Sequence, residues 1–387
     1  MRPLGKHCAT LFLLAASTAF GQLAMATPPG AAFDARVQSA AEEVMDQYGI
    51  PGLAIALTDN GKQRFYSYGV ASRETRQPVS RDTLFEIGSI SKTFTVTLAT
   101  QAQAEGRLSL GDSPGSYLPP LRGSALDRVT LINLGTHTAG GFPLQVPEAI
   151  GNTEQLLDYF KAWQPTYAPG SHRTYANPSI GLLGMIAAKA LNMPFDAALE
   201  QRLFPELGMT DSHLQVPASK LPRYAQGYNK EDAPVRLNPG VLAAEAYGVK
   251  SSAKDLIHFV EAHLGRTETG PSLARALADT RRGYFQLGAM TQDLIWEQYR
   301  YPVALETLLQ GNANTLAYES HAVTALNPPL PPQDAVWINK TGSTNGFAAY
   351  VAFVPAKQLG IVLLTNKNHP NEARVRLAHR ILSELDD

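Results

Sequence analysis

Ser89 and Lys92 are the first residues along this 387-residue chain whose types and spacing could do covalent chemistry. They lie in Phe85-Glu86-Ile87-Gly88-Ser89-Ile90-Ser91-Lys92, after which Ile90, Phe94, Leu98 and Ala102 recur at helical spacing until Gly106. That period predicts a helix beginning close to Ser89, with residues 89 and 92 on one face. A serine hydroxyl is a weak nucleophile until a neighbouring base takes its proton. A lysine becomes such a base when burial disfavours its ammonium form, and a helix N-terminus stabilises negative charge growing on the attacking oxygen. Taken alone, the pair also fits a serine N-cap followed by an exposed lysine.

Two further clusters carry polar groups in usable patterns. In Tyr175-Ala176-Asn177-Pro178 the proline pushes Asn177 out of the α region, and in an extended segment Tyr175 and Asn177 face the same side. A helix is expected from Pro178 to Leu191, so Asn177 also fits an ordinary N-cap before a first-turn proline. In Lys340-Thr341-Gly342-Ser343, Lys340 ends an apolar row with Val336 and Ile338 on one face of a predicted strand. An ammonium in that position wants an anionic partner, such as a substrate carboxylate, and Gly342 permits another backbone to approach. An edge lysine before a turn is the plainer alternative.

Other chemistries lack their signatures. The nine histidines show no H-x-x-x-H or H-E-x-x-H spacing, and the single cysteine is Cys8. No G-x-S-x-G elbow, phosphate-binding loop or dinucleotide fingerprint occurs. Lys plus Arg number 33 against Asp plus Glu 34, which provides no electrostatic footprint for nucleic acid. At 44% hydrophobic and 17% charged, the chain can bury a large core.

The elements that must position these residues divide the chain. Residues 1–26 read as a secretory signal peptide: Arg2 and Lys6 are followed by an apolar run from Ala9 to Phe20 and the Ala24-Met25-Ala26 cleavage pattern. The mature chain would then lack cysteine, as suits a bacterial periplasm, and no other apolar stretch is long enough for a membrane anchor. A helix is predicted over 33–48 and a hairpin around Asp59-Asn60-Gly61-Lys62, with strands at 53–57 and 64–70. Strands are predicted again at 335–341, 347–353 and 359–365, then a helix from Asn371 to Leu385. The expected fold is mixed α/β (α+β). Residues 27–85 and 310–387 form an antiparallel sheet subdomain flanked by the terminal helices, residues 86–309 form a mainly helical one, and the active site lies in the cleft between them. Pro328-Pro329-Leu330-Pro331-Pro332 reads as a stiff connecting loop.

In this order, Ser89-Ile90-Ser91-Lys92, Tyr175-Ala176-Asn177 and Lys340-Thr341-Gly342 resemble the penicillin-recognising serine hydrolases. The Tyr-x-Asn middle motif is similar to that of the class C serine β-lactamases. The resemblance extends to Ile50–Ala54, Thr136–Gly141, Gln164–Gly170, Ala244–Lys250 and Asn366–Asn371 with Arg374. It implies a β-lactamase/transpeptidase-like fold and hydrolysis of the lactam amide of antibiotics, cephalosporins favoured, through an acyl-enzyme on Ser89. It also implies antibiotic resistance, a periplasmic monomer acting on a small molecule, and no need of a cofactor or metal.

By the same resemblance Lys92 and Tyr175 share proton transfer, and the backbone N–H groups of Ser89 and Ser343 form the oxyanion hole. Asn177 and Gln145 bind the substrate's amide side chain. Lys340, Thr341 and Gly342, and more remotely Asn371 and Arg374, face its carboxylate, while Tyr247 lines the pocket for the variable group. Two ammoniums, Lys92 and Lys340, would favour the Tyr175 phenolate, which is otherwise a poor base at neutral pH. Asn339 stands where many relatives carry histidine and Ala243 where aspartate is common, departures that bear on substrate preference. His137 reads as structural. Competing readings are a D-Ala-D-Ala carboxypeptidase, D-aminopeptidase or serine esterase on the same scaffold, and a penicillin-binding sensor that acylates once.

Overall fold

The computed structural model describes residues 29–386, so the segment read as a signal peptide lies outside the described residues. Alternating apolar residues near both chain ends give strands that share one sheet. β1 (Gly52–Asp59) and β2 (Lys62–Gly69) follow helix α1 (Pro29–Tyr48). Their turn uses Asn60 at φ 51° and Gly61 at φ 82°, and Asp59 pairs with Lys62, so the Asn-Gly hairpin forms where its residues predict.

The central helix α2 (Ser91–Ala104) and helix α3 (Asn177–Leu191) cross the region between the two ends. From there the chain returns through β3 (Gly283–Leu287), β4 (Met290–Gln292), β5 (Glu297–Arg300) and β6 (Thr324–Leu330) to β7 (Val336–Ser343), β8 (Ala348–Val354) and β9 (Leu359–Thr365). Helix α4 (Asn371–Asp386) closes it. The sheet order is β6-β3-β4-β5-β7-β8-β9-β1-β2, with every neighbouring pair antiparallel.

Both faces of this sheet are covered. Leu53, Ile55, Leu57, Ile361 and Leu363 pack with Val37 and Ala41 of α1 and with Val375, Ala378, Ile381 and Leu382 of α4. The alternate residues Ala54, Ala56, Val362 and Leu364 join the larger core on the opposite face, with α2 and α3. The period-two alternation thus resolves into two cores separated by one sheet.

Two expectations require correction. Strands β3 to β5 lie within the span read as mainly helical, so the second sheet segment begins near residue 283 and not near 310. These strands are only three to five residues long, and segments such as Glu297–Arg300 pair through the backbone without a long apolar run to announce them. Pro328 to Leu330 belong to edge strand β6 and not to a loop, the position in a sheet where missing N–H donors are tolerated. Helix α2 is buried on all sides, including Thr93, Thr95, Thr97 and Thr100. Those hydroxyls donate to the carbonyls of Ile90, Glu245, Thr93 and Val96, which lets residues that look polar in sequence sit in the core.

Candidate active site

Ser89 sits on a short helical turn, Gly88–Ile90, that leads directly into α2. It does not cap this turn, whose N-cap is Ile87, and it is half-buried between fully buried neighbours. One turn on, Lys92 is wholly buried. Its Nζ donates to Ser89 Oγ at 2.9 Å and to the Ala246 carbonyl at 2.8 Å. Burial is the largest influence on this ammonium, and with the nearby Lys340 charge it outweighs the pull of Tyr175, bringing the pKa down to about 8.

Tyr175 follows a short strand, His172–Thr174, and precedes α3, whose N-cap is Ala176. Its ring centroid is 5.2 Å from Lys92 Nζ and 5.2 Å from Lys340 Nζ. Burial pushes the phenol up, but the Lys340 and Lys92 ammoniums and the nearby Ser89 hydroxyl outweigh it and hold the pKa at about 8. Although Ser89 is close enough to favour the phenolate, Tyr175 Oη closes no hydrogen bond of normal geometry.

Asn177 is not the cap of α3 either. Its Nδ2 donates to Gln145 Oε1 at 2.8 Å, its backbone N–H donates to the Leu144 carbonyl at 2.9 Å, and its Oδ1 is buried without a partner. The paired carboxamides therefore leave acceptor capacity unused at Asn177 Oδ1.

Lys340 ends the buried row of β7, a strand interior to the sheet, and is 2% exposed, so it is no snorkelling edge lysine. Beyond it the strand end presses against the turn that carries Ser89. A Cβ on Gly342 would stand 2.0 Å from the Ile87 carbonyl oxygen, and one on Gly88, at φ 51°, would stand 2.4 Å from Ser343 N. Only glycine at both positions brings the backbone of Ser343 beside that of Ser89. The strand end that carries Ser343 and the turn that carries Ser89 are thus in direct backbone contact.

Serine, lysine, tyrosine and lysine thus converge from three separated segments. The β-lactamase family profile matches residues 37–386. A β-lactamase from Lysobacter lactamgenus is 52% identical over 372 residues, 96% of this chain and 96% of its own length. Among solved structures, a β-lactamase/D-alanine carboxypeptidase from Pseudomonas syringae superposes with a TM-score of 0.90 at 62% identity, covering 91% of this chain and 99% of that one. A class C β-lactamase in complex with cefoxitin gives 0.89 at 50% identity, covering 92% and 99%.

This chain belongs to the class C serine β-lactamases.

The outer residues expected at the β-lactamase's candidate site are less uniform. Thr341 is half-buried and Ser343 exposed, whereas Gly342 is buried. Tyr247 is half-buried at the end of the short helix Ala243–Ala246, beside the carbonyl that holds Lys92. Asn371 starts α4 and donates its Nδ2 to the Asn312 carbonyl at 3.2 Å. Arg374 departs from expectation. It is 2% exposed, and its guanidinium donates to the carbonyls of Gly342, Ala349 and His369 and to Ser343 Oγ. In this arrangement it braces the end of β7 and does not face a substrate carboxylate directly. Burial lowers its pKa to about 9.

Asn339 and Ala243 are both buried, Asn339 within a polar network with Glu297 and Tyr350. His137 accepts from the Ala176 N–H through Nδ1, and its ring lies 4.3 Å from that of Tyr175. Burial and the surrounding cations hold it well below the usual histidine range, so it is neutral at pH 7. Sequence reasoning missed Arg173, Glu297 and the Ala246 carbonyl. Each is an unremarkable residue in sequence and acquires its place only through a tertiary contact. Among the described residues no group of three or more His, Cys, Asp or Glu side chains could hold a metal ion, and no single helix is long and apolar enough to cross a membrane.

Proposed function

We propose that Ser89 Oγ attacks the lactam carbonyl, with its proton passing to the Lys92–Tyr175 pair. The hydrolysis of β-lactams belongs to the family; the assignment to these residues rests on one observation, the 2.9 Å contact between Lys92 and Ser89 beside a tyrosine flanked by two ammoniums. The carbonyl oxygen becomes the oxyanion and takes hydrogen bonds from the backbone N–H groups of Ser89 and Ser343. As the C–N bond breaks, the proton returns to the lactam nitrogen. A water then attacks the ester carbonyl, giving its proton to Tyr175, and Ser89 leaves with a proton restored.

Lys340 and Thr341 receive the substrate carboxylate, with Asn371 farther out. Asn177 and Gln145 hold the amide side chain, and Tyr247 borders the variable group. Two residues that convert a pKa near 8 into a shared proton reservoir make a separate glutamate base unnecessary. The reading extends to a monomer exported to the periplasm that favours cephalosporins and confers resistance to β-lactams.

The similarity to a β-lactamase/D-alanine carboxypeptidase keeps peptide hydrolysis as a second reading. The test is turnover of a chromogenic cephalosporin, a penicillin and a D-Ala-D-Ala peptide by the purified chain, with intact mass of wild type and Ser89→Ala. Many turnovers on the lactams, the higher rate on the cephalosporin, and loss of acyl adduct in S89A are expected. A single stoichiometric acylation without turnover would refute hydrolysis, and faster release of D-alanine than of opened lactam would favour the peptidase.

A further inference from the structure

Beneath the tyrosine lies a buried charge pair outside the proton path described above. Arg173, two residues before Tyr175, is 1% exposed, and its guanidinium carbon is 5.5 Å from the Tyr175 ring centroid. It donates to Gln292 Oε1 at 2.6 Å, to the Leu316 carbonyl at 2.7 Å and to Glu297 Oε1 at 3.1 Å. Glu297, on β5, is 5% exposed and stands directly opposite Asn339 of β7 in the antiparallel register. Its second oxygen accepts from Asn339 Nδ2 at 3.2 Å. Asn339 also exchanges carboxamide hydrogen bonds with Asn312 at 3.3 and 3.4 Å and accepts from Tyr350 Oη at 3.1 Å. Asn312 in turn carries Asn371 on its carbonyl.

One carboxylate therefore ties the segment that bears Tyr175 to the strand that bears Lys340. Asn339 and Lys340 are neighbours on that strand and point to opposite faces, so whatever locks Asn339 also sets where Lys340 emerges. We propose that Glu297 is a positioning residue for the proton-transfer site: by bridging Arg173 and Asn339 it fixes the spacing of Tyr175 and Lys340, and it offsets the Arg173 charge beside the tyrosine ring. This inference rests on the reading that Tyr175 takes part in proton transfer.

The electrostatic side follows from the groups around the phenol. Lys92 faces it from α2, Lys340 from β7, Arg173 from its own strand, and Ser89 from the turn before α2; His137 is neutral. Glu297 is the carboxylate that opposes these cations, and it raises the Tyr175 pKa. Without it the phenolate would form at lower pH, and the tyrosine would be a weaker base.

The test compares Glu297→Gln, Glu297→Asp and Tyr175→Phe with wild type in the full chain, following kcat/KM for a chromogenic cephalosporin against pH. E297Q removes the charge in an isosteric side chain. Its acidic limb should move down by about 0.5 pH unit or more, with a lower plateau rate. E297D keeps the charge but is one methylene too short for both partners, so its limb should stay in place while the rate falls about tenfold. An unmoved limb in E297Q, or full activity in E297D, overturns the proposal. Inactivity of Y175F beside an unmoved E297Q limb would leave the tyrosine reading standing and remove only Glu297. A fully active Y175F would remove both. Since a lone buried Arg173 could unfold E297Q, the double variant Arg173→Met/Glu297→Met takes out the pair together, an exchange that buried ion pairs tolerate. Folded and less active by tenfold or more, it supports the positioning role; folded and fully active, it refutes it.

Discussion

Replacing Gly342 by alanine should separate activity from folding. The new Cβ would lie 2.0 Å from the Ile87 carbonyl oxygen, where ordinary contact begins at 3.4 Å, and 3.1 Å from Ile90 N. Both neighbours are backbone, so no flexible side chain can yield. The end of β7 and the turn bearing Ser89 must therefore separate by about 1 Å, and a shift of that size at reacting groups costs about 10²-fold in rate. Local overpacking costs about 1–3 kcal/mol of stability, which a domain of this size survives. The separation pulls the Ser343 N–H away from Ser89, so the loss should appear in kcat more than in KM. The assay is steady-state hydrolysis of a chromogenic cephalosporin beside a thermal melt. Wild-type kcat/KM in a normally folded G342A protein would refute the view that this close approach builds the oxyanion site.

Lys92→Met should yield a more stable and inactive protein. Lys92 titrates at about 8 in the fold against an ordinary 10.5, so the unfolded chain holds the proton more tightly. Buried charge thus destabilises the fold below pH 8, and that deficit disappears as pH rises from 8 to 10.5. K92M should gain about 1–3 kcal/mol at pH 7 in denaturant unfolding and progressively less at higher pH, with turnover down about 10³-fold; a loss of stability at pH 7 would contradict this. Lys340→Met removes the ammonium that most lowers the Tyr175 pKa, so the acidic limb of kcat/KM should shift upward from about 8. A midpoint that stays put would mean the tyrosine does not set the limb. Asn177→Ala leaves Gln145 Oε1 without its 2.8 Å donor and should reduce kcat/KM about tenfold for lactams with an amide side chain, and less for 6-aminopenicillanic acid. Equal losses on both would argue against side-chain recognition there.

Much of the candidate site was legible because the proposed covalent chemistry constrains local spacing. Ser89 and Lys92 must share one helical face, Tyr175 and Asn177 one side of an extended segment, and Lys340 and Gly342 the end of a strand. The hairpin at Asn60-Gly61 and the apolar stripe of α4 were readable for the same reason, each resting on residues close in sequence. Strands β3 to β5 were not, since each is only three to five residues long and none carries a sustained apolar alternation.

What only the tertiary structure decided is the electrostatic state of those residues. S-x-x-K describes an exposed cap as well as a buried serine–lysine pair; the burial of Lys92 against the Ala246 carbonyl, 154 residues away, separates the two. Lys340 approaches Tyr175 because sheet order sets β7 beside the turn of Ser89. Arg374 was read as a ligand for substrate, and the fold turned it inward onto backbone carbonyls. Sequence by itself determined which groups could donate, accept or attack. Distance and desolvation, which shift a pKa by more than any neighbour in sequence does here, came from the packing of segments that the chain keeps far apart.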